Sequence, residues 1–182
     1  MQSYMPSRGP GAAPIKPSLI KPGSALPGDV VQGALTNTWF LGAASALSTR
    51  PELLASLFVD HSPACETYGV YTVRLYKNGM WNNVVIDDKL PVTTDGHFLF
   101  SRCKDPSELW LPLLEKAYAK LHGCYECLMQ GSVQFALQDL TAGAPQVVKF
   151  SDPDVDFRIK NGMMWKEMDA LLHAGKPITH SH

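Results

Sequence analysis

One apolar stretch constrains the fold more than any other part of the sequence. From Thr38 to about Ser48 the chain reads Thr-Trp-Phe-Leu-Gly-Ala-Ala-Ser-Ala-Leu-Ser, and helical spacing leaves no polar face. A helix that is apolar on all sides is buried in the centre of a domain. Asn37 or Thr38 is predicted to cap this helix, because a short side-chain oxygen accepts hydrogen bonds from free first-turn amides. We therefore expect a central buried helix around which the other elements pack.

The composition is that of a packed globular protein. The chain has 182 residues, of which 45% are hydrophobic, so it has room for one core and part of a second. The net charge is −1 and no basic stripe is present, which argues against nucleic acid as the main partner. No apolar stretch approaches the ~20 residues that crossing a bilayer requires, so a cytoplasmic location is expected.

The cysteine pattern favours reduced thiols over a disulfide framework, because the sequence shows no secretion signal. The four cysteines are Cys65, Cys103, Cys124 and Cys127. Cys124 and Cys127 form a lone CxxC pair, which supplies two ligands where a structural zinc site requires four. The preferred interpretation of this pair is therefore ordinary thiols at a helix end.

Proline and glycine divide the chain near its start. Residues 1–28 hold six of the fourteen prolines, and hydrophobic periodicity is absent there. Residues 1–17 are therefore predicted to be a flexible tail, and residues 18–28 an extended arm.

The clearest β signal lies at about residues 69–87. Two alternating runs, Val70–Tyr76 and Met80–Ile86, flank Asn78-Gly79, which is typical of a hairpin because both turn residues need positive φ. Phe98–Phe100 is predicted to add a short strand.

Helices are predicted on both sides of this hairpin. One begins at Pro51. A longer one is predicted to begin at Asp105-Pro106-Ser107-Glu108, because Asp at the N-cap followed by Pro and Glu in the first turn is a typical helix start, and Pro112 is predicted to bend it. Further helices are expected near Val133–Leu137 and over Met163–Ala174. The fold class is therefore α+β.

Ordered matches across about residues 22–145 resemble the protease core of the calpain family. The family pattern at the nucleophile is Gln-Gly-x-Leu-Gly-Asp-Cys-Trp, and residues 32–39 read Gln-Gly-Ala-Leu-Thr-Asn-Thr-Trp. Further matches are Tyr68-Gly69, Trp81, Val84–Pro91, Ser107–Trp110, Leu113–Lys120 and Asp139–Gly143. The resemblance implies a papain-like cysteine-protease fold with two lobes, the first carrying the nucleophile. Residues 18–160 would form that first lobe, and residues 161–182 would begin the crossing to the second.

The resemblance places the general base in the second lobe, within a Gly-His-Ala-Tyr-like segment that this sequence does not match. His180 and His182 are interpreted as part of a truncated loop or a cloning remnant. Thr38 stands where the family has its cysteine and is predicted to be inactive, because an internal threonine supplies no comparable anion at neutral pH. Gln32 occupies the oxyanion-hole position, or alternatively satisfies local carbonyls at the helix entry. Thr36 replaces a glycine, so the turn is expected to be remodelled.

The resemblance also implies a calcium site in the first lobe. Its ligands would be Asp29, Glu108 and backbone carbonyls near Gly23, a donor set that suits calcium chemically. The alternative role for Glu108 is as the third residue of a capping box.

Three functions follow as hypotheses. The first is a catalytically inactive calpain-like domain that acts as a binding, regulatory or cytoskeleton-associated module with protein partners. The second is a piece of a calcium-dependent cysteine endopeptidase whose second lobe is missing. The third is a half-domain that pairs with another chain through its exposed interlobe face.

Overall fold

A computed structural model describes residues 18–21, 29–60 and 63–179. The predicted tail at residues 1–17, the carbonyl of Gly23, and His180 and His182 lie outside these residues. The helices are α1 (Thr38–Ser48), α2 (Pro51–Leu57), α3 (Pro63–Tyr68), α4 (Trp110–His122), α5 (Val133–Thr141), α6 (Pro153–Lys160) and α7 (Met163–His173). The strands are β1 (Val30–Val31), β2 (Phe58–Asp60), β3 (Val70–Lys77), β4 (Met80–Asp87) and β5 (Arg102–Cys103). This α+β architecture confirms the predicted fold class.

The central helix is confirmed, from Thr38 to Ser48. Phe40, Ala43 and Leu47 are fully buried, and the Phe40 ring stacks on Tyr118 of α4 with ring centroids 4.7 Å apart. Helix α1 packs against α2 and α5, so neighbouring elements cover its apolar surface on several sides.

The predicted hairpin is also confirmed. Strands β3 and β4 pair antiparallel from Val70 with Asp87 to Lys77 with Met80, and β2 pairs with the other edge of β3. Asn78 and Gly79 both have positive φ, at 55° and 80°. This backbone conformation is what a two-residue type I′ turn requires.

The predicted strand at Phe98–Phe100 is wrong. Phe98 makes only a single bridge, to Val92, while the Leu99 carbonyl accepts a hydrogen bond from Ala34. Because successive residues bond to different segments, no ladder forms. The strand in this region is β5, which pairs antiparallel with β1.

The predicted start of the long helix is wrong as well, because α4 begins at Trp110. The Asp105 carboxylate accepts from the Ser107 amide at 2.9 Å and the Ser107 hydroxyl at 2.6 Å, which closes a turn before the helix instead of capping it. Glu108 is therefore not part of a capping box. Pro112 falls in the first turn of α4, where no intrahelical amide bond is required, so the reason for a bend disappears.

A buried ionic network joins β3, α4 and α5. One oxygen of Asp139 accepts from the Lys77 ammonium at 2.7 Å and from the Tyr118 hydroxyl at 2.8 Å. Burial and this contact both raise the pKa of Tyr118. Asp139 lies in the Asp-Leu-Thr-Ala-Gly motif, so the motif connects three elements of the core.

Helix α6 was not predicted, although Asp152 and Pro153 form a start signal: the Asp152 carboxylate accepts from the Asp154 amide at 3.0 Å. Helix α7 follows at Met163, in agreement with the prediction, and packs against α6. Within the described ranges, none of the helices combines the length and apolar character needed to span a membrane.

Candidate functional site

The segment from Gln32 to Asn37 is fixed against the loop that precedes β5. The Ala34 amide donates to the Leu99 carbonyl at 2.9 Å. Gly33 lies so close to this loop that a Cβ there would be 2.1 Å from the Phe100 carbonyl oxygen. Only glycine permits this approach, so the position of the segment depends on the missing side chain.

Asn37 holds the end of the segment through a buried carboxylate. Its side-chain amide donates to Glu115 Oε1 at 2.6 Å, and the other carboxylate oxygen accepts from the Ser101 amide at 2.9 Å and the Ser101 hydroxyl at 2.7 Å. Glu115 is 1% exposed, and burial raises its pKa, against the lowering effect of the hydrogen bonds from Ser101 and Asn37. Three donors thus tie α4, the loop before β5 and the entrance of α1 to one side chain.

This arrangement corrects the predicted helix cap. Asn37 occupies the N-cap position of α1, but its side chain makes no capping hydrogen bond because the amide points to Glu115. Thr38 is the first helical residue and does not cap the helix either.

Thr38 lies exposed at the open end of α1. Within the part of the chain that the structure describes, its hydroxyl makes no hydrogen bond, and the first amides bonded to the Asn37 carbonyl are those of Phe40 and Leu41. The amides of Thr38 and Trp39 are therefore available at a helix N-terminus, where the dipole favours negative charge. The surface beside Thr38 has donors but no described general base.

The structure places the Gln32 side chain on an exposed surface of the same segment. Its amide donates to the Leu35 carbonyl at 3.0 Å, which is the contact of the alternative interpretation, a glutamine that satisfies a local carbonyl. Among the described residues, Thr36 is not one of those with positive φ, so the backbone there avoids the strain that a β-branched residue would suffer.

Trp39 forms one wall of this region. Its indole N–H donates to the Leu128 carbonyl at 2.9 Å, and its ring lies against Gly131, where a Cβ would be 2.3 Å from the ring. The loop that follows α4 is therefore packed directly beside position 38.

The two predicted calcium ligands lie near Cys103: Asp29 precedes β1 and Glu108 precedes α4. Burial raises the pKa of the Cys103 thiol to about 12, and the charges of Glu108, Asp29 and Asp105 add to this effect. Glu108 is buried and accepts from the Lys21 amide at 2.9 Å. The donors are of the type calcium prefers, but no cluster of three or more metal-ligating side chains occurs in the described ranges.

Glu115 and Ser101 are the site residues that sequence reasoning missed. The signal for Glu115 was its place on α4: the residues three and four positions away on either side, Leu111, Pro112, Tyr118 and Ala119, are apolar. A carboxylate on an otherwise apolar helix face indicates a buried partner. No comparable signal marked Ser101.

An apolar surface lies on the C-terminal helices. Phe157 of α6 and Trp165 of α7 are more than half exposed, at 64% and 63%, and Met163 of α7 is 49% exposed. We refer to these three exposed apolar residues together as the α6–α7 surface. Large apolar side chains exposed in this number on two packed helices are typical of contacts with other polypeptide.

Comparisons with known proteins agree with this geometry. The model of a family described as calpain family cysteine protease matches residues 8–181. The chain is 39% identical over 161 residues to the calpain-type cysteine protease DEK1 of Zea mays, covering 85% of this chain and 7% of that protein. It is 42% identical over 165 residues to calpain-5 of Caenorhabditis elegans, covering 85% and 25%. It is 47% identical over 117 residues to calpain-10 of Rattus norvegicus, covering 63% and 17%. The chain thus spans a quarter or less of the length of these relatives.

Proposed function

Because this chain belongs to the calpain family of cysteine proteases, we propose that it acts as a non-catalytic calpain-like domain, a regulatory or binding module built on the first lobe of the protease core. The observation that carries this proposal is Thr38, an exposed alcohol at the open end of α1 in the position of the family nucleophile. A threonine hydroxyl stays protonated at neutral pH, whereas the cysteine chemistry of the family requires a thiolate.

The surroundings of Thr38 support the same conclusion. An internal threonine needs a base within hydrogen-bond reach to act as a nucleophile, and the buried carboxylate that contacts the neighbouring Asn37, Glu115, is occupied by Asn37 and Ser101. On this proposal the scaffold is kept for binding while the reacting group has been replaced.

A hydrolysis assay on the full-length protein that contains this chain tests the proposal. We expect no calcium-dependent cleavage of unstructured peptides by the natural sequence, and a gain of cleavage on Thr38→Cys if the remaining machinery is present. Thr36→Cys is the matched control, since it places a thiol on an exposed residue two positions before the helix. Cleavage by the natural protein that disappears on Thr38→Ala would refute the proposal.

A second candidate is a piece of a calcium-dependent cysteine endopeptidase that works in intracellular proteolysis. The observation in its favour is the pair of available amides at Thr38 and Trp39; Gln32, whose side-chain amide donates to the Leu35 carbonyl, lies six residues before Thr38. Donors in this position would stabilise an oxyanion. If this candidate is correct, the natural full-length protein cleaves peptides in the hydrolysis assay, and Gln32→Ala strongly reduces the rate of cleavage.

We also propose that the first lobe binds calcium through Asp29 and Glu108. Two carboxylates that both act electrostatically on the Cys103 thiol, together with backbone carbonyls, are the type of donor that a hard cation with six to eight oxygen ligands takes. Calorimetry at millimolar calcium would show heat that Asp29→Ala removes and that the exposed control Asp95→Ala retains. Absence of heat in the natural protein would contradict calcium binding without affecting the role proposed for Thr38.

We also propose that this domain binds protein partners in the cytoplasm, in association with the cytoskeleton. The α6–α7 surface supports a polypeptide contact, either with a second lobe or with another chain. Sedimentation of this chain alone distinguishes self-association from a monomer, and Trp165→Ser should reduce any association observed. A monomer at all concentrations would contradict pairing of two copies.

A further inference from the structure

The loop that connects α4 to α5 holds two cysteines that the proposed function does not use. Cys124 and Cys127 are both exposed, and their sulfur atoms are 3.0 Å apart. Neither forms a disulfide. Two solvent-accessible thiols at this separation are a chemical site of their own.

The two sulfurs come from neighbouring pieces of backbone after α4. Cys127 lies in the 3-10 turn Glu126–Leu128, whose Leu128 amide donates to the Tyr125 carbonyl at 2.9 Å, and Cys124 lies in the bend before this turn. A disulfide has an S–S distance of about 2.05 Å, so the two sulfurs have about 1 Å left to close.

We propose that Cys124 and Cys127 form a thiol-modification site, at which a low-molecular-weight disulfide of the glutathione class oxidises the pair to an intramolecular disulfide. In the first step the Cys127 thiolate attacks one sulfur of the small disulfide and releases a small thiolate. In the second step Cys124 loses its proton, attacks the Cys127 sulfur and expels the second small thiolate. Two protein thiols are oxidised, one small disulfide is reduced to two thiols, and the two protons pass to these products.

The order of the steps follows from the contact between the thiols. The hydrogen bond with Cys127 raises the pKa of the Cys124 thiol and so favours Cys127 as the first nucleophile; either sulfur can donate in this contact, and the exchange balances equally with the two roles reversed. Once the mixed disulfide exists, Cys124 is already beside it, and closure is intramolecular. Transient disulfides of this kind are the ones found in reducing compartments.

The site is connected to position 38 through one residue. Cys127 immediately precedes Leu128, whose carbonyl accepts from the Trp39 indole at 2.9 Å, and Trp39 follows Thr38. Closing the bond draws the sulfurs from 3.0 Å to about 2.05 Å and constrains Cys127, the residue before Leu128. We expect this constraint to reach the Leu128 carbonyl and, through it, the Trp39 indole at the entrance of α1.

Treatment of the whole chain with mixtures of oxidised and reduced glutathione tests the proposal. Intact mass should fall by two hydrogens, peptide mapping should place the crosslink between Cys124 and Cys127, and the thiols titratable in the unfolded protein should drop from four to two. Cys124→Ser and Cys127→Ser should instead gain one glutathione each. Cys65→Ser, which removes a half-buried thiol elsewhere, should still form the crosslink. Addition of glutathione at both positions without closure, or no reaction at either, would overturn the proposal.

The connection to Trp39 has a separate measurement. The indole N–H signal of Trp39, assigned by Trp39→Phe, should shift on oxidation of the natural chain and stay in place in Cys124→Ser under the same treatment. An unmoved indole signal in the crosslinked protein would refute transmission to α1, while the crosslink itself would stand on the mass measurement.

Discussion

Replacing Glu115 by alanine should destabilise this protein more than almost any other single substitution. The carboxylate accepts from three donors, and Glu115→Ala leaves the Asn37 amide and the Ser101 amide buried without a partner. Each buried unsatisfied donor costs about 1–3 kcal/mol, and the one lost methylene group adds about 0.8 kcal/mol. Relief of the buried charge offsets part of this sum. We therefore expect a loss of about 3–5 kcal/mol in the free energy of unfolding, measured by urea denaturation at pH 7.

The isosteric variant Glu115→Gln distinguishes charge from shape. Its amide can donate to Asn37 once the Asn37 side chain flips, because the Asn37 oxygen has no hydrogen-bond partner in the part of the chain that the structure describes. The number of hydrogen bonds is then nearly kept, and a cost of about 1–2 kcal/mol is expected. A loss below about 1 kcal/mol for Glu115→Ala would refute the claim that this carboxylate holds the site together.

The same residue predicts a pH dependence with a definite sign. Burial raises the pKa of Glu115 in the folded protein, so the folded state binds this proton more readily than the unfolded state does. The associated stability is fully present below the unfolded pKa of about 4.3 and is lost as pH rises through the raised folded pKa. Glu115→Gln lacks this contribution. As pH falls from neutral towards 4, the free energy of unfolding of the natural protein should therefore increase relative to that of Glu115→Gln. If the unfolding free energies of the two proteins change with pH in parallel, the raised pKa is not that of Glu115.

Three further substitutions test the fold. Asp139→Ala leaves the half-buried Lys77 ammonium and the buried Tyr118 phenol without their shared partner and should cost about 2–4 kcal/mol. Breaking the exposed Lys160–Asp156 ion pair of α6 should cost less than about 1 kcal/mol in the same urea titration. Gly33→Ala should cost about 1–3 kcal/mol of unfolding free energy, because its Cβ would lie 2.1 Å from the Phe100 carbonyl oxygen. The helical control Gly42→Ala, whose nearest contact would be at 3.7 Å, should stabilise the protein by about 0.5–1 kcal/mol. Equal effects of the two substitutions would contradict the close packing of Gly33. The contact with Lys21 lowers the pKa of Asp105 to about 2. Its contribution to stability, which solvent exposure reduces, is present above the unfolded pKa and is lost as pH falls below about 4. Asp105→Asn should therefore weaken the fall in unfolding free energy at acid pH.

The elements predicted correctly are those whose signals are local. The apolar run from Thr38, the Asn78-Gly79 turn and the Met163 helix each carry their own periodicity or turn chemistry. The two wrong predictions have different causes. Asp105 begins a turn instead of a helix because its carboxylate accepts from Ser107, two residues further on. Leu99 donates to the Pro91 carbonyl and accepts from the Ala34 amide, so its backbone bonds are shared between two separate segments.

The ordered motif predicts Thr38, Gln32, Asp29 and Glu108 as site residues, and these assignments stay predictions. The residues that support this region were missed, because they do not follow from the motif. The side chain of Asn37 turns to a glutamate 78 positions away, and only the packing of α4 against the loop before β5 brings them together.

The pairing of β1 with β5 has a consequence for the order of folding. Val30 meets Cys103, so the pair closes a loop that contains most of the first half of the fold, whereas β3 and β4 meet across two residues. A hairpin of this kind forms in about 1–10 μs, but a long loop must first lose its chain entropy, so the two-residue β1 should dock late. The Asn37 entrance follows β1 directly along the chain. Late docking of β1 would then delay the final placement of the segment that leads to Thr38.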